Sequence, residues 1–547
     1  MIHSLHFGQP IIYYLLAGMA IVTFASLAIA PSSRVLGEGK FEVLFILSAG
    51  AALFACRWPI LLWPNELSID ESTFIACALK ATVDWVPWRG FDASTSGPLN
   101  PDILTLPVLF GGNIGYFSAR VVGLCLILGA ICALYFAVKW IYGHSVARLS
   151  IVPPVVLLSF TKASDFVHYS SEHLPIFLTT VPLAVAAYLA LGAGSKTSRL
   201  LACATAGLFL GCAPLAKLQS APIALAVFIL LVAVMFITPP RSSNIQKLEI
   251  LFVLAGLVAI PSLVLICLLA TGGFEDAVIS YYKMTLVFAH GRPPVSQSSF
   301  FFSVQEYTFF SVASLVVIVT GGAALYSRVT FTRTFLWASL SSILLLLASL
   351  FAIEHAHQAF PHYLLFLIIP VSLCVANILG LLHRTGLGKR HAVLARSSFV
   401  ALFLAPIGFA ALTSENDFSP RAMAPMRPDV IAVSRYAKPG DRLGVWAWRP
   451  EYYVKTRTIM ATRSAGILVL MEPSRYREYF RNRFLSDLRA NPPPVFVDGV
   501  APGAFLFNDH ATQGIESFPL LEAFVREHYT QREEVAGVRI FVAKNLR

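Results

Sequence analysis

Residues 65–102 read NELSIDESTFIACALKATVDWVPWRGFDASTSGPLNPD. The stretch joins hydrophobic segments, yet it holds Glu66, Asp70, Glu71, Asp84, Asp92 and Asp102. Carboxylates at this density belong outside the hydrocarbon of a bilayer, so the segment reads as a polar loop between spanning helices. Ser68-Ile69-Asp70-Glu71 fits a capping box, with Ser68 as N-cap and Glu71 reaching back to its amide. Acids in a first helical turn also favour the helix dipole without any further role. Asp70 stands out, because a carboxylate at the membrane boundary and at a helix N-terminus is well placed to line a cavity. Trp85 and Trp88 suit an interfacial aromatic belt. Pro and Gly make Thr95-Ser96-Gly97-Pro98-Leu99-Asn100 a rigid turn.

Working outward, composition sets the class. The chain has 547 residues, of which 56% are hydrophobic and only 13% charged, with a mean hydropathy of +0.70. A water-soluble domain needs more polar surface, so the chain is a polytopic membrane protein. The net charge of +11 comes from basic residues spread along the chain, which fits membrane topology rather than a nucleic-acid partner. None of the eight cysteines forms a C-x-x-C pair, which argues against a zinc ribbon or a disulfide framework. The N-terminal MIHSLHFGQP lacks a positive region and a small-residue cleavage site, so no cleaved signal peptide is expected.

Apolar runs near spanning length fall at 11–30, 41–62, 117–138, 149–160, 175–193, 200–215, 220–238, 248–270, 306–326, 334–353, 362–382 and 393–412. They predict about twelve transmembrane helices, each of about 20 residues. The connecting loops alternate in charge. One set holds Arg34, Lys40, Lys139, Arg148, Lys196, Arg199, Arg241, Lys247, Arg328, Arg333, Arg384, Lys389, Arg390 and Arg396. The other holds most of the acids, among them Asp70, Asp165, Glu172, Glu275, Asp276 and Glu354. The positive-inside rule makes the first set cytoplasmic, which puts both termini and the acidic loops on the outer face.

Beyond residue 412 the pattern changes. Segments 441–448, 492–500 and 538–545 read as buried strands, and 474–491 and 520–529 have helical periodicity. The expected organisation is a transmembrane catalytic domain over 1–412, with the acidic outer loop 64–102, and a small extracytoplasmic α/β domain over 425–547. The latter has no phosphate loop and no catalytic constellation.

The Asp70-Glu71 pair in the first large outer loop, followed by a Trp/Pro stretch ending in Ser96-Gly97-Pro98-Leu99, resembles the GT-C superfamily of membrane glycosyltransferases. The likeness is to the bacterial protein O-mannosyltransferase and lipid A aminoarabinose transferase branch. That branch usually has a Lys-Pro-Pro-Leu-like turn where this chain has Ser-Gly-Pro-Leu. Two further segments agree in order. Gly207-Leu208-Phe209-Leu210-Gly211-Cys212-Ala213-Pro214-Leu215-Ala216-Lys217 resembles a Gly-rich helix ending in lysine, and Phe360-Pro361-His362-Tyr363-Leu364 before Pro370 resembles an HYL…P segment.

The resemblance implies a GT-C-like fold and an inverting transfer of sugar from a polyprenyl-phosphate donor to a glycolipid, glycan or protein acceptor. It implies a bacterial inner membrane, with the active site on the periplasmic side. By the same resemblance Asp70 is the expected general base, with Glu71 beside it. A further carboxylate is expected in the next outer loop, SDFVHYSSEHLP, where Asp165 and Glu172 would share one helix face. A solvated loop is the plainer reading of that segment. The leaving lipid phosphate needs cations or donors, and the candidates are Arg57, Lys217, Lys283 and Arg292, with His362 and Tyr363 nearby in the motif. Snorkelling to the interface would equally account for Lys217, and solvation for Lys283 and Arg292. Arg57 sits inside an apolar run, where a guanidinium normally faces a polar cavity. Glu354-His355-x-His357 has the residue types of a divalent-metal cluster, but that spacing is weakly diagnostic and no metal is called for. Two other classes share this outline: a secondary transporter, which places ionisable groups near mid-membrane, and an O-antigen ligase or polymerase using a pyrophosphate-linked donor.

Overall fold

The computed structural model describes residues 10–31, 37–192, 194–237, 243–290, 304–326, 331–356, 358, 360–385, 392–414, 418 and 425–545. Each of the twelve apolar runs is mostly helical over its described residues. Among the described residues, ten helices are long and apolar enough to cross a membrane. The run at 306–326 is not among them, and the run at 149–160 falls short. It forms Val152–Phe160, which follows the seven-residue helix His144–Ser150. Together these span about 26 Å at 1.5 Å per residue, less than the hydrocarbon thickness.

The chain divides into two compact units, neither continuous in sequence. The first comprises Met1–Trp63, Gly123–Ser262 and Arg292–Ala422. Within it, Lys196–Ala216 and Ser243–Thr271 approach so closely that glycine is required. A Cβ on Gly207 would lie 2.0 Å from the Val253 carbonyl oxygen, and one on Gly211 would lie 2.1 Å from that of Leu257. Gly256 reciprocates, with a Cβ there 2.3 Å from the Ala204 carbonyl oxygen. Small residues spaced four apart are the usual route to such contact in lipid, where apolar side chains gain nothing by leaving the solvent.

The second unit comprises Pro64–Val122, Leu263–Gly291 and Met423–Arg547. It contains a five-stranded sheet: β1 Arg442–Trp446, β2 Ile459–Met460, β3 Val495–Asp498, β4 Tyr529–Val535 and β5 Val538–Ala543. The order is β2-β1-β3-β5-β4. β1 runs parallel to β2 and β3, while β5 is antiparallel to both β3 and β4. Helices Arg477–Ala490 and Pro519–His528 supply Phe480, Phe484, Leu488, Leu521 and Phe524 to a core shared with Trp446 and Phe496. Ile279 and Met284 belong to the same core. Loop segments from much earlier in the chain thus contribute to the core of the sheet region expected over 425–547.

Candidate active site

Serine caps the helix that opens the acidic loop. Ser68 Oγ accepts from the Asp70 amide at 3.3 Å, and the helix runs Ile69–Ala81. Glu71 does not close a capping box. Its carboxylate is bidentate to Arg120, with Nε to Oε1 at 2.9 Å and Nη2 to Oε2 at 2.7 Å, and both side chains are fully buried. A buried charge of this kind is tenable only when paired in good geometry, which explains the change of partner. Arg120 Nη2 also donates to the Asn65 carbonyl at 2.9 Å, and Lys455 donates to the Pro64 carbonyl and Asn65 Oδ1 at 2.6 and 2.8 Å. These cations hold the chain just ahead of Asp70.

The other loop acids sort by surroundings. Asp84 pairs with Arg89 at 2.7 Å. Asp92 is buried and accepts from Arg483 Nη2 and Ser280 Oγ, each at 2.6 Å. Arg483 and Arg463 also meet Asp276, at 3.3 and 2.7 Å, and Arg463 meets Asp487 at 2.7 Å. Burial pushes the Glu66 carboxyl up to about 8, and Ser72 only partly offsets this. Burial likewise raises Asp102 to about 7. Asp70 differs from all five: it is half-buried, and its carboxylate makes no hydrogen bond or ion pair with any described residue. Trp85 is 68% exposed, whereas Trp88, expected beside it in an aromatic belt, is buried against Tyr281.

The first unit gathers most of the remaining sequence candidates. Pro214 lacks an amide hydrogen, and the helix ends at Ala216; Lys217 is extended (φ −156°, ψ 122°) before a 3₁₀ turn at Leu218–Ser220. Lys217 Nζ thereby meets the Glu172 carboxylate and Ser171 Oγ, the latter at 2.7 Å, and sits 4.5 Å from the Tyr363 ring centroid. Glu172 is fully covered. Burial would raise its carboxyl, but Lys217 and His362 overcome this and hold it well below the usual carboxylate range. The 3₁₀ turn Pro361–Leu364 aims His362 Nδ1 at Asp165 Oδ1, 3.0 Å away. Asp165 remains partly exposed and is also held low, because His362 outweighs the effect of burial. Arg57 donates Nε to the Leu158 carbonyl at 2.6 Å and Nη2 to that of Phe166 at 2.9 Å, a polar lining for a guanidinium inside an apolar helix.

Asp165, Glu172, Lys217, His362 and Tyr363 are thus one cluster, with Arg57 bonded to the residue after Asp165. Asp70, Glu71 and Lys283 belong to the second unit. Lys283 ends a π-helical turn, Val278–Lys283, and lies 5.8 Å from the Tyr476 ring centroid. Arg292 and His357 lie outside the described residues. Among the described residues, no three side chains of the His, Cys, Asp and Glu types come together as a metal site.

Sequence reasoning missed Arg120, Glu66 and the Arg463–Arg483 pair. Arg120 carried a usable signal, since it lies about a turn inside an apolar helix just as Arg57 does. The others carried none: the partners of Asp92 and Asp276 are some two hundred residues away or more.

No protein-family model matches the chain, and no curated protein matches it. Solved structures do. ArnT from Cupriavidus metallidurans bound to undecaprenyl phosphate is similar at 14% identity and a TM-score of 0.54, over 91% of this chain and 97% of that one. The apo state of the same protein gives 14% and 0.52, over 92% and 98%. The Archaeoglobus fulgidus oligosaccharyltransferase tethered with an acceptor peptide is more distant, at 12% identity and a TM-score of 0.43 over 96% and 73%. At 14% identity the likeness is one of fold, and that fold is the ArnT-like GT-C architecture which the Asp-Glu loop and the two later motifs implied.

Proposed function

We propose that the chain is an inverting glycosyltransferase that moves a sugar from a polyprenyl-phosphate carrier to an acceptor glycolipid, glycan or protein. The observation that carries the proposal is the fold likeness over nine-tenths of the chain to ArnT, a protein solved with undecaprenyl phosphate. In this reading residues 1–412 are the transmembrane catalytic domain and 425–547 a periplasmic α/β domain, in a bacterial inner membrane. The lipid-linked donor, the acceptor and the bilayer are its partners, and nucleic acid is not.

The chemistry follows from the carboxylate left without a protein partner. Asp70 takes the proton of the acceptor hydroxyl while its oxygen attacks the anomeric carbon. The bond from that carbon to the phosphate oxygen breaks, and the electron pair leaves with the lipid phosphate. The covered Lys217–Glu172 pair then serves to shape the fold around Asp165 and His362. Glu71 fixes the start of the Asp70 helix through Arg120.

The test is reconstitution of the purified protein in liposomes with a polyprenyl-phosphate sugar. Asp70→Asn should lower transfer by roughly 10²–10⁴-fold, the range for loss of a general base, with an unchanged melting temperature. Near-normal transfer removes Asp70 from the role. Solute flux without any lipid-linked donor would favour the transporter instead.

A further inference from the structure

The second unit carries an open cleft of about 370 Å³, whose lining does not include Asp70 and which the chemistry above does not use. The volume lies within the range of about 300–1,000 Å³ common for small-molecule sites. Its wall includes Lys80, Trp85, Arg89, Arg442, Arg463 and Asn491. The two carboxylates in that wall, Asp84 and Asp487, are already taken by Arg89 and Arg463, each at 2.7 Å. Lys80 and Arg442 are left over. Lys80 is 6% exposed and gives one hydrogen bond, from Nζ to the Met460 carbonyl at 2.9 Å. Burial and the adjacent Arg442 charge hold its ammonium below the ordinary lysine range. Arg442 is exposed and makes no side-chain hydrogen bond or ion pair with any described residue. Asp487 and Asp84 lie close enough to be felt at Lys80, but each is already paired with an arginine, so the wall as a whole carries an excess of cations that favours an anion.

The same wall presents a flat apolar face. Trp85 is 68% exposed although its loop is firmly built. The Val86 amide donates to Asp84 Oδ1 at 3.3 Å, and the Gly90 amide donates to the Val86 carbonyl at 2.8 Å. A Cβ on Gly90 would lie 2.3 Å from the Asp84 carbonyl oxygen, so the loop closes only with glycine there. An exposed indole on a firmly built loop, beside an amide and guanidinium groups, suits a sugar ring: one face stacks, and the hydroxyls find donors.

We propose that this cleft binds an anionic saccharide, a hexose carrying a phosphate or carboxylate, with Lys80 and Arg442 on the anion and Trp85 under the ring. Its service as the acceptor-docking face rests on the transferase reading; the binding does not. The anionic sugar has two possible sources, a soluble sugar phosphate or the headgroup of a glycolipid.

Calorimetric titration of the full-length protein in detergent tests the site, with glucose 1-phosphate, glucuronic acid, glucose and inorganic phosphate as probes. Both anionic sugars should bind, and glucose at least tenfold more weakly. Arg442→Gln should weaken the anionic sugars tenfold or more and leave glucose unchanged. Trp85→Ala should weaken every sugar and leave inorganic phosphate unchanged. Both positions are exposed, so an unchanged melting temperature certifies the fold. A second arm uses nanodiscs with and without a phosphorylated glycolipid: displacement of glucose 1-phosphate only by the former identifies the membrane source, and its absence the soluble one. The site is overturned if neither anionic sugar binds, if binding ignores both substitutions, or if phosphate alone binds as tightly as the sugar phosphate. Binding intact in a protein that transfers no sugar would sink the transferase reading alone.

Discussion

Arg120 lies about a turn inside an apolar helix, where an uncompensated guanidinium would cost several kcal/mol, and Glu71 makes the position tenable by accepting from its Nε and Nη2. The same logic sorts the acidic loop. Glu71, Asp84 and Asp92 each have a cation. Glu66 and Asp102 have burial instead and are pushed towards the protonated form. That leaves Asp70 as the half-buried carboxylate of the loop without a charged or hydrogen-bonding partner among the described residues. A pH effect follows from Glu66. In the unfolded chain it ionises at the usual glutamate value, near 4.3, whereas in the folded chain it keeps its proton up to about 8. Between those limits the folded state binds more protons than the unfolded, so stability falls as pH rises, by at most about 1.4 kcal/mol per pH unit, and levels off above about 8. Glu66→Gln keeps the neutral shape and removes the titration. Its melting temperature should exceed that of the parent in alkaline buffer, with the gap closing towards the unfolded value. A gap that stays constant across this range would show that Glu66 ionises normally.

Among whole elements, the pairing of Lys196–Ala216 with Ser243–Thr271 bears most directly on the candidate site, because the first of these helices ends at Lys217. The pattern Gly207-x-x-x-Gly211 was visible as a glycine-rich helix leading to lysine, but the matching Gly256 was not, since nothing local says which helix will lie opposite. Gly211→Val places a branched side chain where even a Cβ meets the Leu257 carbonyl oxygen at 2.1 Å, so the helices must part. Overpacking of this kind costs about 1–3 kcal/mol or more. The expected outcome is a lower melting temperature together with slower sugar transfer, as Lys217 shifts against Glu172. A variant as stable and active as the parent would show that the helices can separate freely. The elements lost to sequence reading have physical reasons of their own. β4, YTQREEV, buries only its first residue and so lacks the alternation of a half-buried strand, and β2 is two residues long. The strands with buried runs, β1, β3 and β5, were legible for the opposite reason. The existence of the long apolar helices was legible throughout, since length and hydropathy decide it. The spanning count was less so, because the 149–160 run bends at Ile151 and is too short.

The second unit is assembled from three stretches of chain, and this constrains the whole molecule in the membrane. Lys80 bonds to Met460, Asp92 to Arg483, and Asp276 to both Arg463 and Arg483. Contacts of this kind cannot form through a bilayer, so loops 64–115 and 272–291 and the C-terminal segment must share one side. The charge pattern read from the sequence reached the same grouping independently, by assigning the acid-bearing loops and the C-terminus to the outer face. The side itself is the proposal; the grouping is geometry. Single cysteines at three exposed positions, Val83→Cys, Glu275→Cys and Arg532→Cys, test both with a membrane-impermeant maleimide on intact spheroplasts. All three should label without permeabilisation, whereas Lys196→Cys, in a basic loop, should label only after it. If the first three react only once the membrane is opened, the sidedness is inverted and the sugar chemistry must face the cytoplasm. If they divide between the two conditions, the compact unit itself is wrong, because no single bilayer crossing separates residues that share one hydrogen-bonded core.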